Sequence, residues 1–153
     1  MERGSIRREV YIEASPEIVF DVISKPEHVA QWWADEADYV PVPGSTGRVT
    51  FDDHGRGGRT ETFTVVDARP PRMFAFRWTQ PAGQEATEGN SLLVTFELTP
   101  SGSGTLLELT ETGFREQGWE AAVLEERYLE HVRGWDLFLP HLAPYVMTLG
   151  TRS

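Results

Sequence analysis

The chain of 153 residues is long enough for one domain with its own hydrophobic core. It contains no cysteine, which excludes disulfides, thiolate nucleophiles and cysteine-ligated metal centres. Acidic residues number 24 against 14 basic ones, so the net charge of −10 disfavours nucleic acid and anionic membranes as partners. No apolar stretch approaches the ~18 residues of a membrane span and no secretory signal is recognisable, so we expect a cytoplasmic protein.

The first predicted elements are a half-buried strand and two short helices. One face of the strand carries alternate, mostly apolar residues, a period typical of strands: Ile6, Arg8, Val10 and Ile12. Ser15 is placed to cap the first helix, and Pro16 suits its first position. The Lys25-Pro26 step breaks this helix, and a second short helix is predicted over residues 28–33.

The middle of the chain, residues 39–114, carries strand and turn signals. Runs rich in β-branched and aromatic residues are separated by turns rich in Pro and Gly: residues 48–51, 60–66, 72–78, 91–99 and 105–112. The short connections predict an antiparallel meander. Alternation places Phe74, Phe76 and Trp78 on one face of their strand.

The last predicted element is a long helix over residues 119–139. Tyr128, His131 and Trp135 recur at spacings of three and four, so they share one face. Pro140 and Pro144 are expected to end or kink this helix. Because strands and helices are segregated along the chain, we predict an α+β fold in a single domain over residues 1–153.

Segments in each part of the chain match a known family pattern: residues 15–33, which end in Trp32-Trp33; residues 68–78, with Pro70-Pro71; residues 93–98; and residues 131–139, with Gly134-Trp135. In this order they resemble the START-like (SRPBCC) superfamily, in the branch of the activators of the ninety-kilodalton heat-shock chaperone's ATPase. The resemblance implies a helix-grip fold, in which a curved antiparallel sheet wraps around a long C-terminal helix, with two short helices after the first strand. It does not fix function, because the superfamily hosts ligand binders, cyclases and chaperone partners.

The candidate site is an aromatic-lined cavity between the sheet and the last helix. We expect it to bind a small apolar or aromatic molecule. The residues predicted to contact this ligand come from several elements: Trp32, Phe51, Phe63, Phe76, Trp78, Phe96, Tyr128, His131 and Trp135. The alternative is that these side chains only fill the core. Trp32 and Trp33 are helix neighbours, so one is expected to face inward and the other to lie nearer the surface.

No catalytic residue, metal or cofactor is predicted. His131 could act as a general base or polar anchor, or be a hydrogen-bonded core histidine, and no triad spacing accompanies it. Arg8 could hold a ligand carboxylate or be a surface arginine. The sequence Asp52-Asp53-His54 is the one close cluster of ligand-type residues, but it lies in a Gly-rich turn that favours Asp anyway.

The absence of a catalytic constellation favours a binding module over an enzyme. One alternative is a polyketide cyclase- or dehydratase-like enzyme that uses His131, Tyr128 and Arg8. Another is a chaperone-interacting module, steered by its negative charge. The chain has no room for the separate N-terminal domain of the eukaryotic activators, which weighs against chaperone contact. A homodimer stays open, because no segment identifies an interface.

Overall fold

A computed structural model describes residues 4–51, 59–81 and 83–150, and its elements follow the predicted order. The strands are β1 Ser5–Ile12, β2 Glu36–Asp38, β3 Thr46–Phe51, β4 Arg59–Arg69, β5 Met73–Gln80, β6 Leu92–Ser101 and β7 Gly104–Thr112. The helices are α1 Pro16–Ser24, α2 Pro26–Trp32, α3 Ala121–Phe138 and α4 Leu142–Gly150, with short 3₁₀ turns at Arg115–Gln117 and Leu139–His141.

The strands form one curved antiparallel sheet in the order β1-β7-β6-β5-β4-β3-β2. Strands β2 to β7 are a meander, whereas β1 returns to the far edge and pairs with β7, with Ile6 opposite Glu111. This confirms the predicted α+β fold of helix-grip type, with two short helices after the first strand. The sequence analysis did not predict β2, whose three residues are too few to show an alternation.

The first short helix begins where its cap predicts, whereas the second begins at Pro26, two residues before the predicted start. The Ser15 hydroxyl accepts a hydrogen bond from the Ile18 N–H at 3.4 Å, and Pro16 occupies the first helical position. Helix α2 ends at Trp32, and the backbone of Trp33 has left the helical region, with φ −121° and ψ −69°. The two indoles are therefore not held at the helical angle, and both are buried. The expectation that one of them lies nearer the surface is wrong.

The predicted break is confirmed at Pro140, whereas Pro144 lies in the first turn of α4 and does not end a helix. Helix α3 ends at Phe138, the turn Leu139–His141 contains Pro140, and α4 continues from Leu142. Proline lacks the N–H that would continue the α-helical ladder. After this change of direction, α4 contacts β1, α1 and α2, so the end of the chain covers the short helices.

The core between the sheet and the helices is rich in packed aromatic rings. The rings of Phe63 and Phe76 stack with centroids 4.1 Å apart, and Tyr39 stacks on Phe63 at 4.5 Å. Trp32 meets Phe96 edge-on at 6.4 Å. Edge-on and offset ring pairs add about 0.5–1.5 kcal/mol each beyond the burial of their area. The period-two alternation of the strands thus places their large residues in one continuous core.

Gly47 is a position where the fold leaves no room for a side chain. A Cβ atom on this β3 residue would lie 1.9 Å from the carbonyl oxygen of Asp38 and 2.7 Å from the Cβ of Tyr39. Gly47→Ala is therefore expected to lower the free energy of unfolding by about 1–3 kcal/mol or more, measured by urea denaturation. Gly134→Ala is the control, because a Cβ there meets no heavy atom within 4 Å. It should raise stability by about 0.5–1 kcal/mol, and equal effects of the two changes would contradict the packing described.

Candidate functional site

A cleft of about 50 Å³ opens between α3 and the strands β3 to β5. Its walls are mostly aromatic, with charged groups among them: Trp33, Phe51, Arg59, Glu61, Trp78, Glu130, His131, Gly134, Trp135 and Phe138. Pockets for drug-sized ligands usually measure about 300–1,000 Å³. The space between sheet and helix is therefore a small cleft rather than the larger hollow that the aromatic pattern suggests.

Trp33 explains why the remaining space is small. Its indole stacks on Trp135 with ring centroids 5.3 Å apart and planes 18° from parallel. The same indole lies 5.1 Å from Trp78 and 5.4 Å from Phe51. The Trp33 indole, whose direction the sequence does not predict, thus fills the centre of the predicted cavity. The cleft is the space that remains beside it.

A buried carboxylate lies directly behind the cleft. Glu111 of β7 has no solvent exposure. Its Oε1 accepts a hydrogen bond from Trp135 Nε1 at 2.8 Å, and its Oε2 accepts one from Trp78 Nε1 at 2.7 Å. His131 Nδ1 lies 2.9 Å from Oε1 and 3.0 Å from Oε2. This Glu111 network joins β5, β7 and α3 through three nitrogen atoms on one carboxyl group.

Glu111 is not among the residues predicted from the sequence, although the sequence contains a signal for it. Thr105, Leu107 and Leu109 are buried on the inward face of β7, and Glu111 is the next residue of that alternation. A buried carboxylate needs hydrogen-bond donors, because leaving it without partners costs several kcal/mol. Because Glu111 shares the inward face of β7 with Leu107 and Leu109, the sequence predicts that side chains with hydrogen-bond donors face it from the helix that covers the sheet.

His131 is held in place by this network and by two rings. Its imidazole meets Trp78 at 5.3 Å and Phe114 at 5.5 Å, both edge-on. The side chain is 17% exposed, and His131 is one of the residues that line the cleft. The carboxylate thus fixes the orientation of a histidine at the cleft wall.

The structure brings some of the predicted ligand contacts together at the cleft: Phe51, Trp78, His131 and Trp135. The remaining predicted residues lie in the core, away from the cleft lining: Trp32, Phe63, Phe76, Phe96 and Tyr128. Trp32 donates from Nε1 to the carbonyl of Val22 at 3.0 Å, and the Tyr128 hydroxyl donates to the carbonyl of Ser5 at 2.9 Å. These side chains connect neighbouring elements within the core. The periodicity of a strand or helix shows that a residue faces inward, but it does not show whether that residue packs in the core or lines a cleft.

The other lining residues were not predicted. Trp33 and Phe138 add aromatic wall, and Gly134 adds space. Arg59, whose guanidinium carbon lies 5.9 Å from the centroid of Phe51, brings a positive charge to the lining. No spacing in the sequence connects these positions, because they meet only when β3, β4 and α3 are assembled.

Arg8 has a partner of its own outside the cleft lining. Its Nε donates to Asp136 Oδ1 at 2.8 Å, and this hydrogen bond raises the pKa of the guanidinium.

The Asp52-Asp53-His54 cluster lies outside the described residues. Within the described residues there is no group of three or more His, Asp or Glu side chains placed to hold a metal ion. The helices of that same part of the chain are all too short or too polar to cross a membrane.

Glu111→Gln is expected to lower the free energy of unfolding by about 1–3 kcal/mol. The amide has one oxygen that accepts and one N–H₂ group that cannot, so one of the two indole N–H groups loses its acceptor. Urea denaturation measures this change. Glu108→Gln is the matched control on the outward face of the same strand, where the carboxylate pairs with Arg7 at the surface. Its effect should stay below about 1 kcal/mol. Equal losses in both variants would contradict the role given to the buried carboxylate.

Comparison with known proteins identifies the family. A search of the curated protein sequences found no match. The fold is similar to that of protein MLL2253 from Mesorhizobium loti, with a TM-score of 0.71 and 23% identity over 94% of this chain and 97% of that one. It is also similar to the Aha1 dimer from Colwellia psychrerythraea, with a TM-score of 0.65 and 21% identity over 93% of this chain and 95% of that one. CalU16 from Micromonospora echinospora has a TM-score of 0.62 and 21% identity, with 97% of this chain and 79% of that one covered. Residues 13–147 match the family model described as "Activator of Hsp90 ATPase homolog 1-like protein", and the chain belongs to this family.

Proposed function

We propose that this chain binds a small apolar or aromatic molecule in the cleft beside α3. The observation that carries the proposal is the composition of the lining: aromatic rings from β3, β5, α3 and the residue after α2 converge on one open space, with a histidine among them. Ligand sites are mostly apolar and contain a few polar groups that fix orientation. The rings that form the walls are Trp33, Phe51, Trp78, Trp135 and Phe138.

The size of the cleft narrows the ligand class. One water molecule needs about 10–15 Å³ of such space, so a cleft of about 50 Å³ holds only a few waters. A lipid chain or a fused polycyclic molecule does not fit in this volume. A cavity that encloses a benzene ring measures about 150 Å³, so a single flat ring enters this cleft edge-first and in part, with its far side outside the opening.

The charged lining residues define the outer part of the ligand. Arg59, Glu61 and Glu130 carry charges of both signs, whereas the rings behind them are apolar. Burying a charge without a partner is costly, so these groups keep contact with water or with a polar group of the ligand. The proposed ligand is therefore a ring with at most a small polar substituent.

The sequence-based expectation of a cytoplasmic location is part of this proposal. An enzymatic role is the second candidate, because His131 is oriented by a buried carboxylate in the way that a general base is oriented.

The Colwellia relative is described as a dimer, so a homodimer is a further expectation, measurable by light scattering. Chaperone contact rests on the family description and on the net charge of −10, and a pull-down at low salt tests it.

Gly134→Leu is expected to fill the cleft and to weaken ligand binding by about tenfold or more. Gly134 lines the cleft, and a Cβ there meets no heavy atom within 4 Å, so a longer side chain extends into the open space. Replacement of a helical glycine also favours the fold, so a loss of binding would not reflect unfolding. Titration with anisole, followed through the tryptophan fluorescence of the cleft, measures the effect.

Gly134→Ala is the matched control, since it adds one carbon and leaves most of the cleft open. Its anisole affinity should stay within about threefold of the parent protein. If the parent protein binds neither anisole nor phenol, or if the leucine variant binds anisole as tightly as the parent, the proposed function is wrong.

A further inference from the structure

The Glu111 network determines more than stability, because it assigns a chemical role to each nitrogen of His131. An indole N–H can only donate, so both carboxyl oxygens of Glu111 are acceptors toward Trp78 and Trp135. The same two oxygens lie 2.9 and 3.0 Å from His131 Nδ1. The pattern is complete when Glu111 is a carboxylate and Nδ1 carries the proton. Three N–H groups then converge on one buried anion.

This arrangement leaves Nε2 as the second nitrogen of the ring. Among the described residues, the hydrogen bonds of His131 all involve Nδ1. Nε2 lies on the opposite side of the ring, and His131 lines the cleft. In a neutral imidazole with its proton on Nδ1, the other nitrogen is an acceptor. Nε2 is thus the ring nitrogen of a cleft-lining histidine that is left to accept a hydrogen bond.

We propose that His131 Nε2 accepts a hydrogen bond from the bound molecule, and that the cleft therefore selects aromatic compounds with a hydroxyl group. This inference rests on the proposed function and names its ligand class. A phenol has both required parts: a flat ring for the walls around Trp33 and Trp135, and an O–H donor for Nε2. An aromatic ether of the same shape has the ring without the donor, and it leaves Nε2 without a partner in a confined site.

The charged groups around the ring agree with this ligand class. Glu130 and Glu61 line the same cleft, and Arg59 lies beside the face of Phe51. The two carboxylates disfavour an anionic ligand beside His131, whereas a neutral hydroxyl group meets no such repulsion. The site therefore suits an uncharged O–H donor.

The test compares phenol with anisole on the full chain, by NMR titration of the indole N–H signals. Phenol is expected to bind about tenfold more tightly than anisole, the value of one hydrogen bond in a confined site. The ¹⁵N signals of the His131 ring in the free protein should show a proton on Nδ1 and none on Nε2. Glu111→Gln keeps one acceptor oxygen and replaces the other with an N–H₂ donor, so Nδ1 no longer has to carry the proton and the preference for phenol should fall. Glu108→Gln, on the outward face, should keep it.

Each other result overturns the inference in a recognisable way. Equal affinity of the parent protein for phenol and anisole removes the role of Nε2 and leaves the proposed function intact. Absence of binding by both compounds removes the proposed function and the inference together. A proton on Nε2 in the free protein overturns the inference whatever the cleft binds. The measurements on the parent protein decide the question even if Glu111→Gln fails to fold.

Discussion

One buried carboxylate fixes the position of the long helix on the sheet. Trp135 is the one side chain of helix α3 that is buried, and the other apolar side chains that pack from α3 onto the core are only partly buried. Glu111 adds directional contacts that fix the position of α3, because its oxygens accept hydrogen bonds from nitrogens of both α3 and β5. Desolvation of an ion costs several kcal/mol, and only the complete set of donors offsets that cost. A rotation or one-residue shift of α3 would break the set, so the network specifies one register.

The sequence predicted the fold well because its signals are local. Alternation along the strands, the Ser15-Pro16 cap and the break at Pro140 each depend on neighbouring residues, and the structure confirms them. The site was harder to predict because it depends on residues far apart in the chain. Helical geometry predicted divergent directions for Trp32 and Trp33, but the helix ends between them and both indoles turn inward. Glutamate is usually exposed, so residue type alone does not predict that Glu111 is buried at the site.

The same aromatic pattern that suggested a cavity also explains why the cleft is small. Rings on facing elements attract each other, and Trp33 lies among Phe51, Trp78 and Trp135 at centroid distances of 5.1–5.4 Å. Space survives at Gly134, where the helix carries no side chain. Glycine in a helix costs about 1 kcal/mol relative to alanine, so the open space has a stability cost in this chain. Such a cost at a lining position is typical of sites where function competes with packing.

The pairing of the first strand with the last has a consequence for how the chain assembles during synthesis. Arg7 of β1 and Glu108 of β7 are hydrogen-bonded neighbours that are 101 positions apart. At about 5–20 residues per second, a ribosome leaves β1 without its partner strand for about 5–20 s. Glu111 then emerges 20 positions before His131 and 24 before Trp135, which supply two of its donors. The interior of this domain therefore becomes complete only after α3 has been synthesised.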